Sequence, residues 1–552
     1  MRIGMLQLNP VVGDITGNTD RMIEAVSSLD ADMIVTPEMS ICGYPPRDLL
    51  HVTGFVHACE QAVHRIAQEC QDQVVIVGHP RIDATTGRVR NSVSALHHGE
   101  VIATGDKQLL PSYDVFDEKR YFEAGDTCCM IEVEGVKVGI AVCEDFWRGF
   151  DAEAAPTYDI NPVAELIDGG CTIIVSPSAS PFVTQKRERH LQYTMEVATE
   201  YGVTVVMCNQ VGGNDDLVFD GGSFIATPNG LLGELPLFET GATAFDLSGS
   251  TVPAAPLPTE DEERFYALRL GVHDYFRKTN HTHTVIGISG GIDSALTATI
   301  AVAALGADMV TGVLMPSRFS SRGSVEDAEQ LATNLGIKTT TLPIEHMHRA
   351  FERIIEEACL EETGLTSENA QARLRGLLLM ALANQQGALL LATGNKSELA
   401  VGYSTLYGDM AGAVSVVGDI YKTDVWSMAQ WINQNAQACG FATPPIPEAS
   451  ITKAPSAELR PDQLDQDSLP PYDVLDSILR LHIDLDLGID EIEDKLDCSE
   501  ELIEEVVNKV DLSQFKRDQT ALILKTSPRT FGRGRRMPIV MHRNWITTRE
   551  TT

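Results

Sequence analysis

Residues 285–294 read Val-Ile-Gly-Ile-Ser-Gly-Gly-Ile-Asp-Ser, and this stretch decides the fold of the C-terminal half of the chain. The apolar run at 285–288 predicts a buried strand, and the Ala-rich residues after Asp293 predict a helix. The glycines between them let the backbone approach an anion, to which the helix N-terminus presents free N–H groups. The Gly-Lys-Ser/Thr ending of a Walker A loop is missing. We therefore predict a phosphate-binding turn of another kind, with an ordinary glycine-rich turn as the alternative.

Around this turn, apolar runs alternate with helical patterns, which predicts a doubly wound (Rossmann-like) α/β fold with a helical C-terminal part. We predict strands at 285–288, 309–315, 338–343 and 388–393, and helices at 293–305, 324–335, 347–358 and 368–386. Such sheets bind ligands at the carboxyl ends of their strands, where Ser289 and Thr393 lie. Residues 441–471, rich in Pro, Asp and Gln, are either a mobile lid or a surface loop.

The first 245 residues contain short apolar runs that each end in a polar or reactive residue. These runs predict strands at 32–38, 74–80, 136–143, 171–177 and 203–209, with helices at 54–70 and 185–201 between them. Buried strands alternating with helices are typical of a layered α/β domain. A stretch rich in proline and small residues follows, as in linkers. We predict one domain at 1–247, a linker at 248–260 and a second domain at 261–552.

Composition limits the classes of function. The chain has 552 residues, a net charge of −36 and 43% hydrophobic residues, which indicates a globular protein of several domains. Its acidity argues against nucleic-acid and anionic-membrane partners. The N-terminus lacks the features of a signal peptide, and no apolar run is long enough for a transmembrane helix. The eleven cysteines are scattered without paired spacing, so we expect reduced thiols and a cytoplasmic location.

Three residues of the N-terminal half stand at or just beyond the ends of predicted strands: Glu38, Lys107 and Cys143. A thiolate is a strong nucleophile, and a nearby ammonium both lowers the thiol pKa and stabilises a developing oxyanion. A carboxylate can carry the proton to a departing amine. Taken singly, each residue has an ordinary alternative. Glu38 could cap a helix, Lys107 could be a solvated surface lysine, and Cys143 could be a small apolar residue of the core.

The strings around these residues occur in a definite order: T-P-E-M-S-I-C-G-Y-P at 36–45, G-D-K-Q-L-L-P at 105–111 and V-C-E-D-F-W at 142–147. They resemble the nitrilase (carbon–nitrogen hydrolase) superfamily, whose catalytic triad is Glu, Lys and Cys in this order. The resemblance implies an αββα sandwich. It also implies that Cys143 is the nucleophile, Glu38 the general base and Lys107 the cation that stabilises the oxyanion.

Further residues follow from the glutaminase branch of that superfamily, which these strings resemble. The corresponding positions there, Tyr113, Ser180 and Lys186, contact glutamine. A free amino acid needs such a mixture of donors and acceptors. Glu118 corresponds to a second carboxylate that holds Lys107 in place.

In the C-terminal half, S-G-G-x-D-S at 289–294 matches the pyrophosphate-binding loop of the ATP pyrophosphatases. Four more strings match the NAD synthetases: T-G-N-x-S-E at 393–398, E-N-x-Q-x-R at 368–373, G-D-I-Y-K-T at 418–423 and F-G-R-G-R-R-M-P-I at 531–539. Together with the nitrilase-like half, they make nearly the whole chain similar to the glutamine-dependent members of the NAD synthetase family.

That resemblance implies binding roles for particular residues. ATP would be bound by Gly287, Ile288, Ser289, Gly290, Gly291, Ile292, Asp293, Ser294 and Thr393. Mg²⁺ with ATP would be held by Asp293 and Glu398, since it prefers oxygen ligands. Deamido-NAD would be contacted by Asn369, Glu398 and Lys516. The basic Lys516-Arg517 pair and the arginines at 533–536 would favour an anionic dinucleotide, and Lys453 and Ser456 are candidates for phosphate contact.

The implied reaction is the glutamine-dependent, ATP-driven amidation of deamido-NAD to NAD through an adenylate, with release of AMP, pyrophosphate and glutamate. Ammonia made by one domain and consumed by the other implies a protected passage. We expect small-molecule partners (glutamine, ATP and deamido-NAD), no tightly bound organic cofactor and, by resemblance, a homo-oligomer. Three alternatives stay open: another adenylated carboxylate as substrate, a catalytically silent dinucleotide-binding regulator, and an ammonia-only enzyme with a silent nitrilase-like domain.

Overall fold

The computed structural model describes residues 1–148, 150, 158–360 and 364–541. The chain divides into two compact units, unit 1 (Met1–Pro258) and unit 2 (Thr259–Thr552). Both are layered α/β structures, as the alternating patterns predict. Among the described residues, no helix is both long enough and apolar enough to cross a membrane. All eleven cysteines lie in the described part of the chain, and each is a free thiol.

Unit 1 contains two six-stranded sheets and a separate hairpin. Its strands are β1 (Arg2–Gln7), β2 (Met33–Val35), β3 (Val74–Ile82), β4 (Val89–His97), β5 (Glu100–Asp106), β6 (Cys129–Val133), β7 (Val136–Ile140), β8 (Ile173–Ser178), β9 (Thr204–Asn209), β10 (Val211–Asn214), β11 (Leu217–Asp220), β12 (Phe224–Thr227), β13 (Gly230–Glu234) and β14 (Gly241–Asp246). Its helices are α1 (Ile15–Ser28), α2 (Phe55–Glu69), α3 (Glu144–Trp147), α4 (Pro162–Asp168) and α5 (Lys186–Tyr201). The sheet orders are β14-β1-β2-β3-β4-β5 and β13-β12-β9-β8-β7-β6.

The central strands of each sheet are buried on both faces, which explains their continuous apolar sequence. In β2, Met33 and Val35 pack against the second sheet, whereas Ile34 packs against the layer formed by α1 and α2. Side chains alternate between the two faces of a strand, so one short apolar run supplies two cores. Helices α4 and α5 pack on the second sheet. Unit 1 is therefore the αββα sandwich that the nitrilase resemblance implies.

Unit 2 contains one parallel sheet between helices. Its strands are β15 (Thr284–Gly287), β16 (Val310–Leu314), β17 (Lys338–Thr341), β18 (Leu389–Ala392), β19 (Val414–Ser415) and β20 (Leu522–Ile523). Its helices are α6 (Glu260–Lys278), α7 (Ile292–Leu305), α8 (Arg322–Leu335), α9 (Glu345–Glu357), α10 (Leu365–Gln386), α11 (Lys396–Val401), α12 (Lys422–Gln434), α13 (Glu448–Thr452), α14 (Tyr472–Leu479), α15 (Ile489–Glu493), α16 (Glu500–Leu512) and α17 (Gln514–Arg517).

The strand order of this sheet is β17-β16-β15-β18-β19-β20, and every neighbouring pair is parallel. The chain builds outward from β15 to β17, then returns to place β18 on the other side of β15. A crevice opens where the order reverses, at the carboxyl ends of β15 and β18. The doubly wound fold is confirmed, and the strands and helices that the sequence predicts in this half occur within a few residues of their predicted bounds.

A buried lysine at the start of α11 ties distant segments of unit 2 together. Lys396 is fully buried, and its Nζ lies 3.1 Å from Asp419 Oδ1 and 2.9 Å from Asp484 Oδ1. The same ammonium donates to Ser527 Oγ at 2.6 Å and to the Arg529 carbonyl at 2.8 Å. The segments before α12, after α14 and after β20 therefore all contact the Lys396 ammonium.

We predict that Lys396→Met strongly destabilises unit 2, because it leaves two buried carboxylates without their cation. Removing one partner of a buried ion pair costs about 3–5 kcal/mol. Urea denaturation would measure the loss in the free energy of unfolding. Lys338→Met, on the exposed edge strand β17, is the matched control and should change stability little. Equal effects of the two substitutions would contradict the structural role of Lys396.

Candidate active sites

The first candidate site lies where strands of both sheets of unit 1 end. Glu38 follows β2 by three residues, and Lys107 comes directly after β5. Cys143 lies between β7 and α3, and Ala179 comes directly after β8. The first two segments leave one sheet and the last two leave the other. The sandwich therefore brings together strings that are far apart in the sequence.

A buried ammonium connects these segments. Lys107 Nζ donates to Glu38 Oε1 at 2.8 Å and to Glu118 Oε1 at 2.9 Å. Glu38 also accepts from Asn91 Nδ2 at 2.6 Å and from the backbone N–H of Ala179 at 3.2 Å. The side chains of Glu38, Lys107 and Glu118 are each at most 3% exposed. The ion cluster is thus fully enclosed, and Glu118 occupies the holding position that the resemblance implies.

The cluster sets the protonation of its members. Burial alone would lower the pKa of the Lys107 ammonium, but the carboxylates of Glu118 and Glu38 outweigh burial and raise it well above its usual value. Burial raises the pKa of the Cys143 thiol well above its ordinary value. The Glu38 carboxylate adds to this rise, and Lys107 opposes it. The resting thiol is therefore protonated, with a carboxylate nearby that can accept its proton.

The backbone at Cys143 is unusual. Its φ is +47°, in the left-handed region that non-glycine residues seldom adopt, and it directly precedes α3. Its N–H donates to the Pro177 carbonyl at 3.0 Å, which links the turn to β8. Sparsely populated backbone conformations cluster at active sites, where the surrounding structure holds them. Such a turn holds the Cys143 side chain in a defined direction.

Tyr113, a predicted glutamine contact, lies beside the nucleophile segment. Its hydroxyl donates to Glu144 Oε2 at 2.9 Å, and Tyr158 donates to Oε1 of the same carboxylate at 2.8 Å. Glu144 follows Cys143 directly and is 4% exposed. Sequence reasoning missed Glu144 as a site residue, although a charged residue next to a nucleophile in an apolar run was a usable signal.

The other two predicted glutamine contacts, Ser180 and Lys186, lie in and after the segment that follows β8. The backbone N–H of Ser180 donates to Asn209 Oδ1 at 2.9 Å, and Lys186 Nζ donates to the Pro181 carbonyl at 2.6 Å. Both side chains are largely buried. The structure therefore groups Ser180 with Lys186, and Tyr113 with the segment that carries Cys143.

The second candidate site is a cavity of about 320 Å³ at the carboxyl ends of β15 and β18. Eight of the nine predicted ATP-binding residues line it: Gly287, Ile288, Ser289, Gly291, Ile292, Asp293, Ser294 and Thr393. Gly290 belongs to the same turn but does not line the cavity. Three cationic side chains, Arg375, Lys422 and Lys453, also face this space.

Gly290 shapes the turn. Its φ is +80°, and a Cβ at this position would collide with the backbone oxygen of Ser324 in α8. The turn also supports itself, because Gly291 N–H donates to Ser289 Oγ at 3.2 Å and Ser294 Oγ donates to the Gly291 carbonyl at 3.0 Å. Glycine is therefore required at 290 both for its conformation and for close packing.

The two predicted metal ligands meet at one lysine that sequence reasoning missed. Lys422 Nζ lies 2.5 Å from Asp293 Oδ2 and 3.2 Å from Glu398 Oε1. Asn395 orients Asp293 through a 2.8 Å hydrogen bond. Burial raises the pKa of Glu398 to about 8, with Lys422 opposing and the charges of Asp293 and Asp465 adding to the rise. Two carboxyl groups thus contact one ammonium, and the charge of Asp465 acts on the same pair from farther away.

Within the part of the chain that the structure describes, no group of three or more His, Cys, Asp or Glu side chains is arranged to hold a metal by itself. Mg²⁺ commonly binds one or two carboxylates together with substrate phosphates. The oxygen donors Asp293 and Glu398, both at the wall of the cavity, fit that mode of binding.

Two predicted deamido-NAD contacts do not line this cavity. Asn369 lies on α10, accepts from Thr405 Oγ1 at 2.8 Å, and faces a separate depression of about 400 Å³. Lys516 donates to the carbonyls of Gly402 and Ser404 at 2.7 Å each. Since Ser404 lines the main cavity, Lys516 lies one layer behind its wall. Glu398, the third predicted contact, lines the cavity directly.

Arg517 is not a docking residue, contrary to the expectation from its basic surroundings. Its side chain is 2% exposed and donates to the carbonyls of Leu399, Ala400 and Val510. The guanidinium therefore satisfies backbone acceptors at the end of α11 and in α16. A charge this deeply buried supports the fold rather than a ligand.

The segment 441–471 reaches the cavity. Lys453, Ser456 and Glu458 line it, and Lys453 Nζ donates to Ser324 Oγ at 2.7 Å. Glu458 accepts from the backbone N–H of Ser321 at 3.1 Å and from its hydroxyl at 2.8 Å. This position favours the lid interpretation over that of a simple surface loop, and the mobility of the segment stays a prediction.

Comparison with known proteins agrees with both sites. Residues 2–252 match the carbon-nitrogen hydrolase family, and residues 265–520 match the NAD synthase family. A glutamine-dependent NAD(+) synthetase from Synechocystis sp. is 41% identical over 97% of this chain and 98% of its own. The Thermotoga maritima protein of the same name is 39% identical over 98% of both chains. A solved Acinetobacter baumannii glutamine-dependent NAD+ synthetase in complex with ADP has a TM-score of 0.77 and 36% identity, covering 98% of both chains.

Fold and sites define a carbon–nitrogen hydrolase unit joined in one chain to a nucleotide-binding NAD synthase unit. The relatives that match nearly the whole chain define its family more specifically than the match of either unit alone. It belongs to the glutamine-dependent NAD(+) synthetases, which are ligases.

We predict that Gly290→Ala weakens ATP binding at least tenfold, because a left-handed alanine costs about 1–2 kcal/mol before the clash with Ser324 is counted. Titration calorimetry with ATP would measure the change. Gly291→Ala is the matched control, since its φ is −83° and its Cβ would meet Ser289 Oγ at 3.2 Å, a contact that a small shift relieves. Similar losses in both variants would contradict this account of the turn.

We predict that Cys143 becomes reactive only at a pH above that of an ordinary cysteine, whose pKa is about 8.5. A raised pKa means that the thiolate is scarce at neutral pH and grows as pH approaches that pKa. The rate of iodoacetamide modification against pH, followed by mass spectrometry, measures this profile. Glu38→Gln removes the carboxylate charge and should move the profile to lower pH. A wild-type midpoint at or below that of free cysteine would refute the prediction.

Proposed function

We propose that this chain hydrolyses glutamine in unit 1 and uses the ammonia in unit 2 to convert deamido-NAD to NAD at the expense of ATP. The observation that carries the proposal is the pairing of two sites in one chain. One is a buried Glu-Lys cluster beside a protonated cysteine, and the other is a cation-lined cavity at the switch point of a parallel sheet. The names of the relatives supply glutamine and NAD, the sequence resemblance implies deamido-NAD and ATP, and the geometry of each site supports its half of the reaction.

In the first half, the Cys143 sulfur attacks the carboxamide carbon of glutamine while Glu38 accepts the thiol proton. The oxyanion that forms is stabilised by the Lys107 ammonium, a contribution worth roughly 3–4 kcal/mol in comparable sites. Glu38 returns the proton to the departing nitrogen, and ammonia leaves a glutamyl thioester on Cys143. Water, deprotonated by Glu38, then attacks the thioester carbon, and glutamate departs as the thiol is restored.

Glutamine would be held by groups around Cys143. Its α-amine suits the Glu144 carboxylate, which Tyr113 and Tyr158 already orient. Its α-carboxylate suits the ammonium of Lys186 and the hydroxyl of Ser180. These roles are supported by the burial of Glu144, Ser180 and Lys186, and by the positions of Glu144 next to Cys143 and of Ser180 next to Ala179.

In the second half, the nicotinate carboxylate of deamido-NAD attacks the α-phosphorus of ATP, and pyrophosphate leaves. Ammonia then attacks the adenylated carboxyl carbon, which gives the nicotinamide of NAD and releases AMP. The turn at 287–294 would bind the phosphates through its N–H groups and hydroxyls, with Arg375, Lys422 and Lys453 as counter-charges. These cations are informative in a chain of net charge −36.

Mg²⁺ would be held by Asp293 and Glu398. When bound with ATP, it would neutralise charge on the phosphates and help the pyrophosphate to leave. Lys422 contacts both carboxylates. It would thus keep them close together and ready to bind a cation that arrives with its nucleotide.

Several expectations remain predictions. Asn369 and Lys516 stay predictions as contacts of deamido-NAD, since neither lines the ATP cavity. A homo-oligomer, the absence of nucleic-acid or membrane partners, and a cytoplasmic location likewise stay predictions. Sedimentation equilibrium would test the first of these.

The test is chromatographic. Purified protein is mixed with deamido-NAD, Mg-ATP and either glutamine or ammonium, and NAD and AMP are quantified. Wild type should form NAD with both donors, whereas Cys143→Ala should form NAD with ammonium alone, because unit 2 needs only ammonia. Cys171→Ala, which removes a buried thiol away from the ion cluster, is the control and should keep both activities.

Two outcomes would overturn parts of the proposal. AMP formation without NAD from either donor would keep the adenylating site but reject deamido-NAD, leaving another adenylated carboxylate as substrate. Glutamine-dependent NAD formation by Cys143→Ala would reject the glutaminase assignment. Neither AMP nor NAD from wild type would favour a dinucleotide-binding regulator.

A further inference from the structure

One buried carboxylate of unit 1 accepts hydrogen bonds from the backbone next to Lys107 and next to Cys143 without joining the ion cluster. Asp145 is 3% exposed. Its Oδ1 accepts the backbone N–H groups of Gln108 at 3.0 Å and Leu109 at 2.7 Å, and its Oδ2 accepts that of Val142 at 3.3 Å. The chemistry of glutamine hydrolysis described above makes no use of Asp145.

The donors to this carboxylate flank the two reacting groups. Gln108 and Leu109 directly follow Lys107, and Val142 directly precedes Cys143. The lysine segment leaves β5 of the first sheet, and the cysteine segment follows β7 of the second. A single carboxylate therefore links the ends of two strands that belong to different sheets.

This link gives the two segments a fixed relative position, which the apolar core of the sandwich does not. The two sheets are held together by apolar side chains, and that attraction is non-directional, so it tolerates small sliding movements. Hydrogen bonds from three N–H groups to one carboxylate have definite lengths and angles, and charge makes them stronger than neutral ones. They fix the lysine segment against the cysteine segment along defined directions.

The hydrogen bonds of Asp145 also argue against a direct chemical role for its carboxylate. Both oxygens of Asp145 are engaged by backbone N–H groups of its own fold, whereas the contacts to Lys107 Nζ come from Glu38 and Glu118. Burial raises the pKa of the Asp145 carboxyl to about 7, and the Leu109 N–H and the Lys107 charge oppose that rise. The carboxylate is thus retained in a place that disfavours its charge, which indicates a requirement for its hydrogen bonds.

We propose that Asp145 is a positioning residue that fixes the Lys107 ammonium relative to the Cys143 thiol during glutamine hydrolysis. The inference rests on the proposed glutaminase function of unit 1. It concerns the turnover of bound glutamine rather than its binding, because the Asp145 carboxylate bonds to the backbone beside Lys107 and Cys143.

The test compares Asp145→Ala with Asp145→Asn in the full-length protein. A misplacement of about 1 Å can cost 100-fold in rate, so Asp145→Ala should lower the glutamine-dependent kcat by about that factor. Its KM for glutamine should stay within about threefold of wild type, since binding groups are untouched. Asp145→Asn keeps one oxygen for the Gln108 and Leu109 N–H groups, so its glutamine-dependent kcat should be about tenfold higher than that of Asp145→Ala.

Two controls separate positioning from general stability. NAD formation with ammonium, which needs only unit 2, should stay at the wild-type rate in both variants. Asp83→Ala removes another carboxylate that accepts two backbone N–H groups, those of Thr85 and Thr86 at 2.8 and 2.9 Å, but in the turn between β3 and β4. It should leave the glutamine-dependent kcat unchanged.

The results that would overturn the inference are distinct from those that reject the glutaminase. A glutamine-dependent kcat within twofold of wild type in Asp145→Ala, with Cys143→Ala inactive, rejects the positioning role alone. Equal losses of the glutamine and ammonium activities, or a parallel loss in Asp83→Ala, reject it in favour of general stability. If Asp145→Ala does not fold, an Asp145→Asn variant with unchanged kcat rejects it as well. Glutamine turnover in Cys143→Ala removes the proposed function on which it rests.

Discussion

The structure depends throughout on ammonium groups that are buried between pairs of carboxylates. Lys107, Lys396 and Lys422 each make this arrangement, and each is at most 3% exposed. A buried charge is costly unless it is paired and hydrogen-bonded, so each lysine fixes its neighbours as firmly as they fix it. Each cluster thus places two carboxyl groups on one ammonium.

What differs among the three clusters is the group that lies beside each of them. Beside Lys107, burial raises the pKa of the Cys143 thiol, and the Glu38 carboxylate adds to the rise and can accept the proton. Beside Lys422, the carboxyl groups line a cavity that would suit a divalent cation with its nucleotide. Around Lys396, the other contacts include a serine hydroxyl, a backbone carbonyl and the Tyr421 ring, and the result is structural. The same arrangement, a lysine buried between two carboxyl groups, is thus found next to a nucleophile, at the wall of a cavity and in a structural cluster.

The sequence was informative where the signal is local. The strand, turn and helix around Gly290 follow from apolar periodicity and glycine spacing within about twenty residues, and they occur as predicted. It was uninformative where tertiary packing decides. Lys422 reaches Asp293 across 129 positions, and nothing near either residue indicates the pair. Arg517 resembles its basic neighbours in sequence, yet packing buries it against backbone carbonyls. The depression that Asn369 faces, separate from the main cavity, is likewise not indicated by the local sequence.

The enclosed, protonated sulfur of Cys143 also bears on how long the enzyme survives between turnovers. Peroxides attack thiolates far faster than thiols, and the products beyond sulfenic acid cannot be reduced by ordinary means. Many cysteine enzymes keep a standing thiolate and so remain open to this damage. Burial raises the pKa of Cys143, which is 5% exposed, so the thiolate is scarce at neutral pH. Burial thus protects the nucleophile from oxidants, and the Glu38 carboxylate that can accept its proton adds to this protection.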